Sequence, residues 1–207
     1  MKEEIIKTSL QQFLLQGIRK MTVKEIIAPL GISTKTVYKY FENKEALLEE
    51  CLELHYSELY KDLIALSERL SNPVLFIFQA YKKGIDLDFK VNASFYHDLN
   101  YYYPELQDKI LSKTSEKLSL PFMDTFKRGI ELGYLRNDMN VDVVFKGLSV
   151  LYASLTRSNQ FESFNVSPFE LAANTIEIYL RGLCTEKGLQ EIDNNPELTS
   201  FNKSRSI

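Results

Sequence analysis

Apolar residues recur along this chain at helical spacing, and residues 71–186 offer no convincing strand. Ile6, Leu10, Phe13, Leu14 and Gly17 form one stripe on a helix of roughly residues 2–17. Two short helices follow. Thr22 is a good N-cap for a helix from about Val23 to Leu30, Gly31 can leave it with positive φ, and Ser33 can cap the next. From Lys44 to about Leu70 a long helix carries Leu48, Leu52, His55, Leu59, Leu63, Leu66 and Leu70 on a single stripe. Asn72-Pro73 opens a helix running to about Phe89. Pro104-Glu105 opens another, which Pro121 interrupts or restarts, and Gly133 to Asp138 reads as a turn. The cleanest pair comes last: one helix from about Val141 to Asn159, and one opened by Ser167-Pro168-Phe169-Glu170, with an N-cap serine, proline at N1 and glutamate at N3. After Lys187 the chain turns polar, which predicts a frayed tail. The fold class is all-α.

The stretch from Thr22 to Leu48 organises the rest. A helix, a glycine-containing turn and a second helix is the helix-turn-helix arrangement, whose second helix enters a DNA major groove. Projection at 100° per residue puts Val37, Tyr40 and Phe41 on the anchoring side of that second helix. Lys35 and Lys39 face outward, flanked by Thr34, Thr36 and Tyr38. Two cations, hydroxyls and a phenol suit phosphates and base edges. Equally, two lysines suit an ordinary solvated face.

Charge sharpens that choice. The 207-residue chain carries a net −3, which does not announce a nucleic-acid binder. Between Arg19 and Lys44, however, six cations stand against Glu25 and Glu42 alone. A locally basic patch on an acidic body fits a DNA-reading end joined to a domain of another kind. Cys51 and Cys184 both fall inside apolar helical patterns and read as buried free thiols. No signal peptide and no apolar run long enough for a membrane span is visible, so the expected location is cytoplasmic. Only two histidines occur, His55 and His97, neither with glutamate three residues before it. No paired-cysteine, nucleophile-elbow or phosphate-loop motif is present either. No catalytic residue, metal or cofactor is expected, and an enzyme is disfavoured.

The string T-V-x-E-I-I-x-x-L-G-I-S-x-x-T-V-Y-x-Y-F-x-N-K-E-x-L-L resembles the N-terminal domain of the tetracycline-repressor (TetR) family, over about residues 5–50. Two positions depart from that pattern. Pro29 stands in the last turn of the first short helix, which should end early or finish as a tighter turn. Lys35 stands where a small residue is common, which should alter the base that is read. The resemblance implies that Thr34, Lys35, Thr36, Tyr38 and Lys39 face the groove, with Ser33 at their head. It implies that Lys44 touches phosphate at the start of the long helix, which Asn43 caps, and that Thr22 lies at the phosphate edge of the other short helix.

For the remainder, the resemblance implies a DNA-binding domain at 1–47, a helical ligand-binding and dimerisation domain at 48–187, and the tail at 188–207. Residues 74–103 are dense in Phe and Tyr, which suits either a solid core or an apolar cavity with phenolic handles. Candidates for a small-ligand pocket are His55, Phe76, Phe89, Phe95, His97, Phe122, Phe126 and Tyr152, with a satisfied core histidine the plainer reading of His55. The last two helices either pack internally or meet a second copy through Leu148, Leu151, Leu155, Phe169, Ala173, Ile176 and Leu180. The expected partners are a double-stranded DNA operator, a second copy of the chain and a small molecule. The alternative of the same fold is a constitutive or architectural DNA binder without an inducer.

Overall fold

A computed structural model describes residues 1–158 and 160–201. Among these the chain is helical, with one isolated backbone bridge between Leu135 and Cys184 and no strand. It forms two compact units. The first comprises residues 1–61 and 90–116, the second residues 62–89 and 117–207.

In the first unit, α1 (Lys2–Gln16) turns at Gly17, whose φ of 84° favours glycine. α2 (Val23–Ile26) starts from a complete capping box. Thr22 Oγ1 accepts from the Glu25 amide and Glu25 Oε2 accepts from the Thr22 amide, at 3.3 and 2.7 Å. The Glu25 carboxyl is held below its ordinary value of 4.5, chiefly by the Thr22 side-chain hydrogen bond. Its contribution to the cap is therefore complete above 4.5 and is lost as pH falls through the lower folded value. A single 3₁₀ turn, Ala28–Leu30, carries Pro29 and ends at Gly31 with φ 63°. The tighter turn is what the proline ring dictates, since it cannot continue the α-helical ladder.

Helix α3 is Thr34–Val37, capped by Ser33, whose Oγ accepts from the Thr36 amide at 3.2 Å. It is shorter than the pattern implied, and Tyr38 to Tyr40 form a turn. Tyr40 is consequently 44% exposed, whereas Val37 and Phe41 are buried as anchors. Projecting one helical period past Val37 misplaced Tyr40 because its amide bonds back to Val37, three residues away. Asn43 Oδ1 accepts from the Ala46 amide at 2.9 Å and starts α4 (Lys44–Arg69), which passes into the second unit.

α6 (Ala93–Tyr102) belongs to the first unit and packs on α1. The Asn92 amide donates to the Leu14 carbonyl at 2.8 Å, and Asn92 Nδ2 donates to that of Leu15 at 3.1 Å. Phe95, Tyr96 and Leu99 are buried, as are Ile5, Leu10, Phe13 and Ile18. This helix explains why the compact units do not follow the expected cut at residue 47.

The second unit holds α5 (Pro73–Asp88), the end of α7 (Pro104–Glu131), α8 (Val141–Thr156), α9 (Pro168–Ala172), a π turn (Ala173–Glu177) and α10 (Ile178–Gly182). Ser167 Oγ accepts from the Glu170 amide at 3.1 Å, as its cap predicts. Pro121 lies inside α7 without ending it. One lost hydrogen bond and ring crowding cost about 3 kcal/mol, which long helical arms on both sides outweigh. The expected helix end at Asn159 lies outside the described residues.

The expected tail is folded. α11 (Glu186–Asn194) and α12 (Pro196–Thr199) pack on α5. Lys82 Nζ donates to the Glu197 carbonyl at 3.0 Å, Gln79 Nε2 donates to that of Leu198, and Thr199 Oγ1 donates to that of Ile192 at 2.8 Å. Phe201 is fully buried with its ring 6.1 Å from Phe78. Polar composition misled because α11 and α12 need only one apolar side each, supplied by Leu189, Ile192 and Leu198, with Phe201 just beyond α12. The polar residues Asn202 to Ser206 of the expected tail lie outside the described residues. Phe201→Ala should lower stability by about 3–5 kcal/mol, the usual cost of emptying a buried phenylalanine site. Urea unfolding followed by circular dichroism measures it, and a loss below about 1 kcal/mol would mean that the ring anchors nothing.

Candidate nucleic-acid interface

The exposed face of the helix-turn-helix is built by its caps. Thr22 and Ser33 fix the entries of α2 and α3, and the buried Val23, Ile26, Val37 and Phe41 hold both against the first unit's core. What remains outside is Thr22, Lys24, Lys35, Tyr38 and Lys39, all exposed, with Thr34 and Thr36 half-buried beside them. Ser33 is primarily structural, since its hydroxyl also lies 3.1 Å from that of Thr36. α2, α3 and the turn after α3 therefore expose three ammonium groups, a phenol and threonine side chains. Such a set can neutralise phosphates and reach base edges.

Lys44, expected on phosphate, has its ammonium on backbone carbonyls of this chain. Its Nζ donates to the Ile18 carbonyl and to the Met21 carbonyl, the latter at 2.6 Å. Burial lowers its pKa, opposed by the Asp98 and Glu25 carboxylates. The ammonium is thus engaged by the loop between α1 and α2.

Asp98 completes the grip from the other side. This buried carboxylate accepts the Ile18 and Arg19 amides through Oδ2, at 2.9 and 2.7 Å. The Arg19 guanidinium lies 4.2 Å from the centre of the Tyr102 ring and donates to its hydroxyl. One carboxylate and one ammonium thereby bind the N–H and C=O sides of the same loop, whose end is the N-cap of α2. Asp98 was missed in the sequence. Its signal was a lone carboxylate beside Leu99 and three residues after Phe95, inside an otherwise apolar stripe.

Residues 5–51 match the family model described as bacterial regulatory proteins, tetR family. Residues 5–51 therefore form a TetR-family N-terminal domain. Among curated relatives, the HTH-type transcriptional repressor KstR2 of Rhodococcus jostii is 23% identical over 152 residues, covering 71% of this chain and 74% of the relative. The HTH-type regulator YerO of Bacillus subtilis is 43% identical over 54 residues, covering 26% of this chain and 19% of the relative. The fold is similar to that of reduced E. coli NemR, with a TM-score of 0.72 and 17% identity, covering 89% and 97% of the two chains. With that domain and relatives named as transcriptional repressors, the chain is an all-α, DNA-binding transcriptional regulator and not an enzyme. No described helix is long and apolar enough to cross a membrane.

The TetR-family resemblance supplied ligand candidates that fall into different surroundings. In the second unit, Phe76 and Phe126 are fully buried, Phe122 and Tyr152 are half-buried, and Phe89 is exposed. Phe122 is the hub there, with ring centres of Phe76, Tyr81 and Phe145 at 5.7, 5.5 and 5.7 Å. In the first unit, Phe95 is buried against Tyr96, His55 is half-buried beside Tyr56, and His97 is exposed with Tyr101 stacked on it. Phe89 and His97 therefore do not line an enclosed cavity. Each sits at the polar margin of its helix, where an aromatic residue need not turn inward.

Of the dimer candidates, Leu148, Leu155, Ile176 and Leu180 are buried in the second unit's own core. They cannot meet a partner, because α8 and α9–α10 are apolar on more than one face and the inner face took these four. Leu151, Phe169 and Ala173 are half-buried, and Val143, Val150 and Ile178 are 67%, 55% and 61% exposed.

Lys44→Ala should weaken DNA binding by loosening the loop before α2, without removing a phosphate contact. The slope of log K against log salt should then match the parent protein, whereas a lost phosphate contact would change it by about 0.9 for each protomer bound. Asp98→Ala should lower stability by about 1–3 kcal/mol, since two amides lose a charged acceptor. Hydrogen exchange at Ile18 and Arg19 checks this directly, and unchanged protection there would remove Asp98 from the account.

Proposed function

We propose that this TetR-family regulator is a repressor that binds a palindromic operator as a homodimer and is released by a small apolar or aromatic ligand. The carrying observation is the exposed face of Lys24, Lys35, Tyr38 and Lys39, held rigid by two side-chain caps and a braced loop. DNA reading belongs to residues 1–47, with Thr22, Thr34, Lys35, Thr36, Tyr38 and Lys39 as contacts and Ser33 and Lys44 in support. Ligand binding and dimerisation belong to the helices beyond, and the protein works in the cytoplasm beside its DNA.

Dimerisation follows from the logic of recognition. One helical turn reads too few bases for useful selectivity, and a two-fold dimer doubles the site. The contact face for the second copy is Val143, Val150 and Ile178, flanked by Leu151, Phe169 and Ala173. A ligand acts by preferring one separation of the two reading heads over the other. Relatives named as repressors support the direction of regulation. The complete burial of Phe76 and Phe126 favours a second reading, a constitutive binder whose aromatic core is solid.

Genome-wide capture of bound DNA identifies the operator. On that operator, four exposed cations per protomer, Lys20, Lys24, Lys35 and Lys39, set about eight phosphates per dimer and a log–log salt slope near −7. Lys35→Ala should change the preferred sequence as well as the affinity, by about 1–3 kcal/mol at the affected base pair. A flat salt dependence would sink the electrostatic part of this reading. Ile178→Glu should yield a monomer in sedimentation and abolish operator binding, and a dimer that survives it would move the interface elsewhere. Operator binding insensitive to every compound tested would favour the constitutive reading.

A further inference from the structure

One polar cluster in the second unit is unlike anything else in its core. Asp88 closes α5 and is 6% exposed, a carboxylate taken almost wholly out of water. Tyr152 of α8 donates its hydroxyl to Asp88 Oδ2 at 2.8 Å. Gly84, one turn earlier on α5, makes room for that hydroxyl, since a Cβ there would lie 2.7 Å from it. Arg157, at the end of α8, approaches the same carboxylate oxygen with its Nε at 3.5 Å, and its guanidinium carbon lies 5.9 Å from the Tyr152 ring centre. The Tyr152 ring meets Tyr81 at 5.9 Å, Tyr81 meets Phe122 at 5.5 Å, and Phe122 meets Phe145.

We propose that this cluster is the head-group subsite for a hydrophobic organic cation, an amine or quaternary ammonium on an aromatic or aliphatic body. The inference rests on the reading that the second unit holds a ligand, and it names the class. A buried carboxylate beside aromatic faces is the arrangement that stabilises a weakly hydrated cation. The chain's own guanidinium occupies that place now.

The contacts that Tyr152 and Arg157 make with Asp88 differ in closeness. Tyr152 is close and fixed by its fit against Gly84, whereas Arg157 is distant and its side chain is 23% exposed. An incoming cation can displace Arg157 toward solvent and keep the carboxylate neutralised. An anion has no comparable route, because it must displace the buried and hydrogen-bonded Asp88 or lie beside it, where like charges repel. Displacing Arg157 also detaches the end of α8 from the end of α5, a structural change confined to the second unit.

The test measures binding by calorimetry on the full chain without DNA, using benzyltrimethylammonium and phenylacetate, which share an aromatic body and differ in charge. The cation should bind, and the anion at least about tenfold more weakly. Arg157→Ala should tighten cation binding by removing the internal competitor, and the ligand-induced rise in melting temperature should exceed that of the parent. Asp88→Asn keeps an acceptor for Tyr152 and should abolish cation binding while the protein still unfolds cooperatively. No detectable binding of benzyltrimethylammonium, equal binding of phenylacetate, or weaker cation binding by the folded Arg157→Ala variant would each overturn the proposal. Operator binding, measured on the same preparations, separates the two readings. Intact operator binding without a cation site ends this inference alone, whereas cation binding by a chain that ignores DNA upholds the subsite and ends the regulator reading.

Discussion

The first unit depends on how the six-residue loop Gly17–Thr22 is held between α1 and α2. Backbone amides and carbonyls at a sharp turn have no helical partners, and here both kinds are met by charged side chains from outside the loop. Asp98 takes the amides and Lys44 takes the carbonyls, each worth more than a neutral partner because it carries a full charge. The loop ends at Thr22, so the position of the first reading helix is fixed by groups on α4 and α6. The residues proposed to face DNA and the residues that orient them are different sets.

That separation is why part of the molecule was legible in its sequence and part was not. The caps at Thr22, Ser33, Asn43, Asn72 and Ser167 act within three residues of themselves, and each forms the hydrogen bond its residue type suggests. Pro29 likewise declares its tight turn locally. Asp98 meets Ile18 across 80 residues, and no local pattern records which amide a carboxylate will find. Lys44 shows the same limit from the other direction. Its place in the motif suggested phosphate, yet an ammonium serves two carbonyls equally well once a loop brings them near.

In the second unit, periodicity identified apolar positions and failed to rank their faces. Helix α8 carries Val144, Leu148 and Leu155 inward and Val143 and Val150 outward, all equally hydrophobic on paper. Only packing against α9–α10 decides which set is core. The aromatic-rich stretch behaved similarly: its density was visible, but not that Phe122 would gather Phe76, Tyr81 and Phe145 while Phe89 stayed outside. Composition also hid the strap of α11 and α12, where few apolar residues suffice because Ile192 and Phe201 are buried and Leu189 and Leu198 half-buried.

The discontinuity of the first unit has a consequence for folding order. The family motif ends near residue 51, but Phe95, Leu99 and the Asp98 clasp arrive only after the intervening α5 has been made. Joining Ile18 to Asp98 closes a long loop, whose entropic cost must be met before the clasp returns anything. A chain ending at Lys61 would contain every side chain proposed to face DNA and lack the Asp98 carboxylate that holds the first turn in place. The reading head is therefore local in its chemistry and non-local in its assembly, maturing only when a helix from beyond the motif has docked.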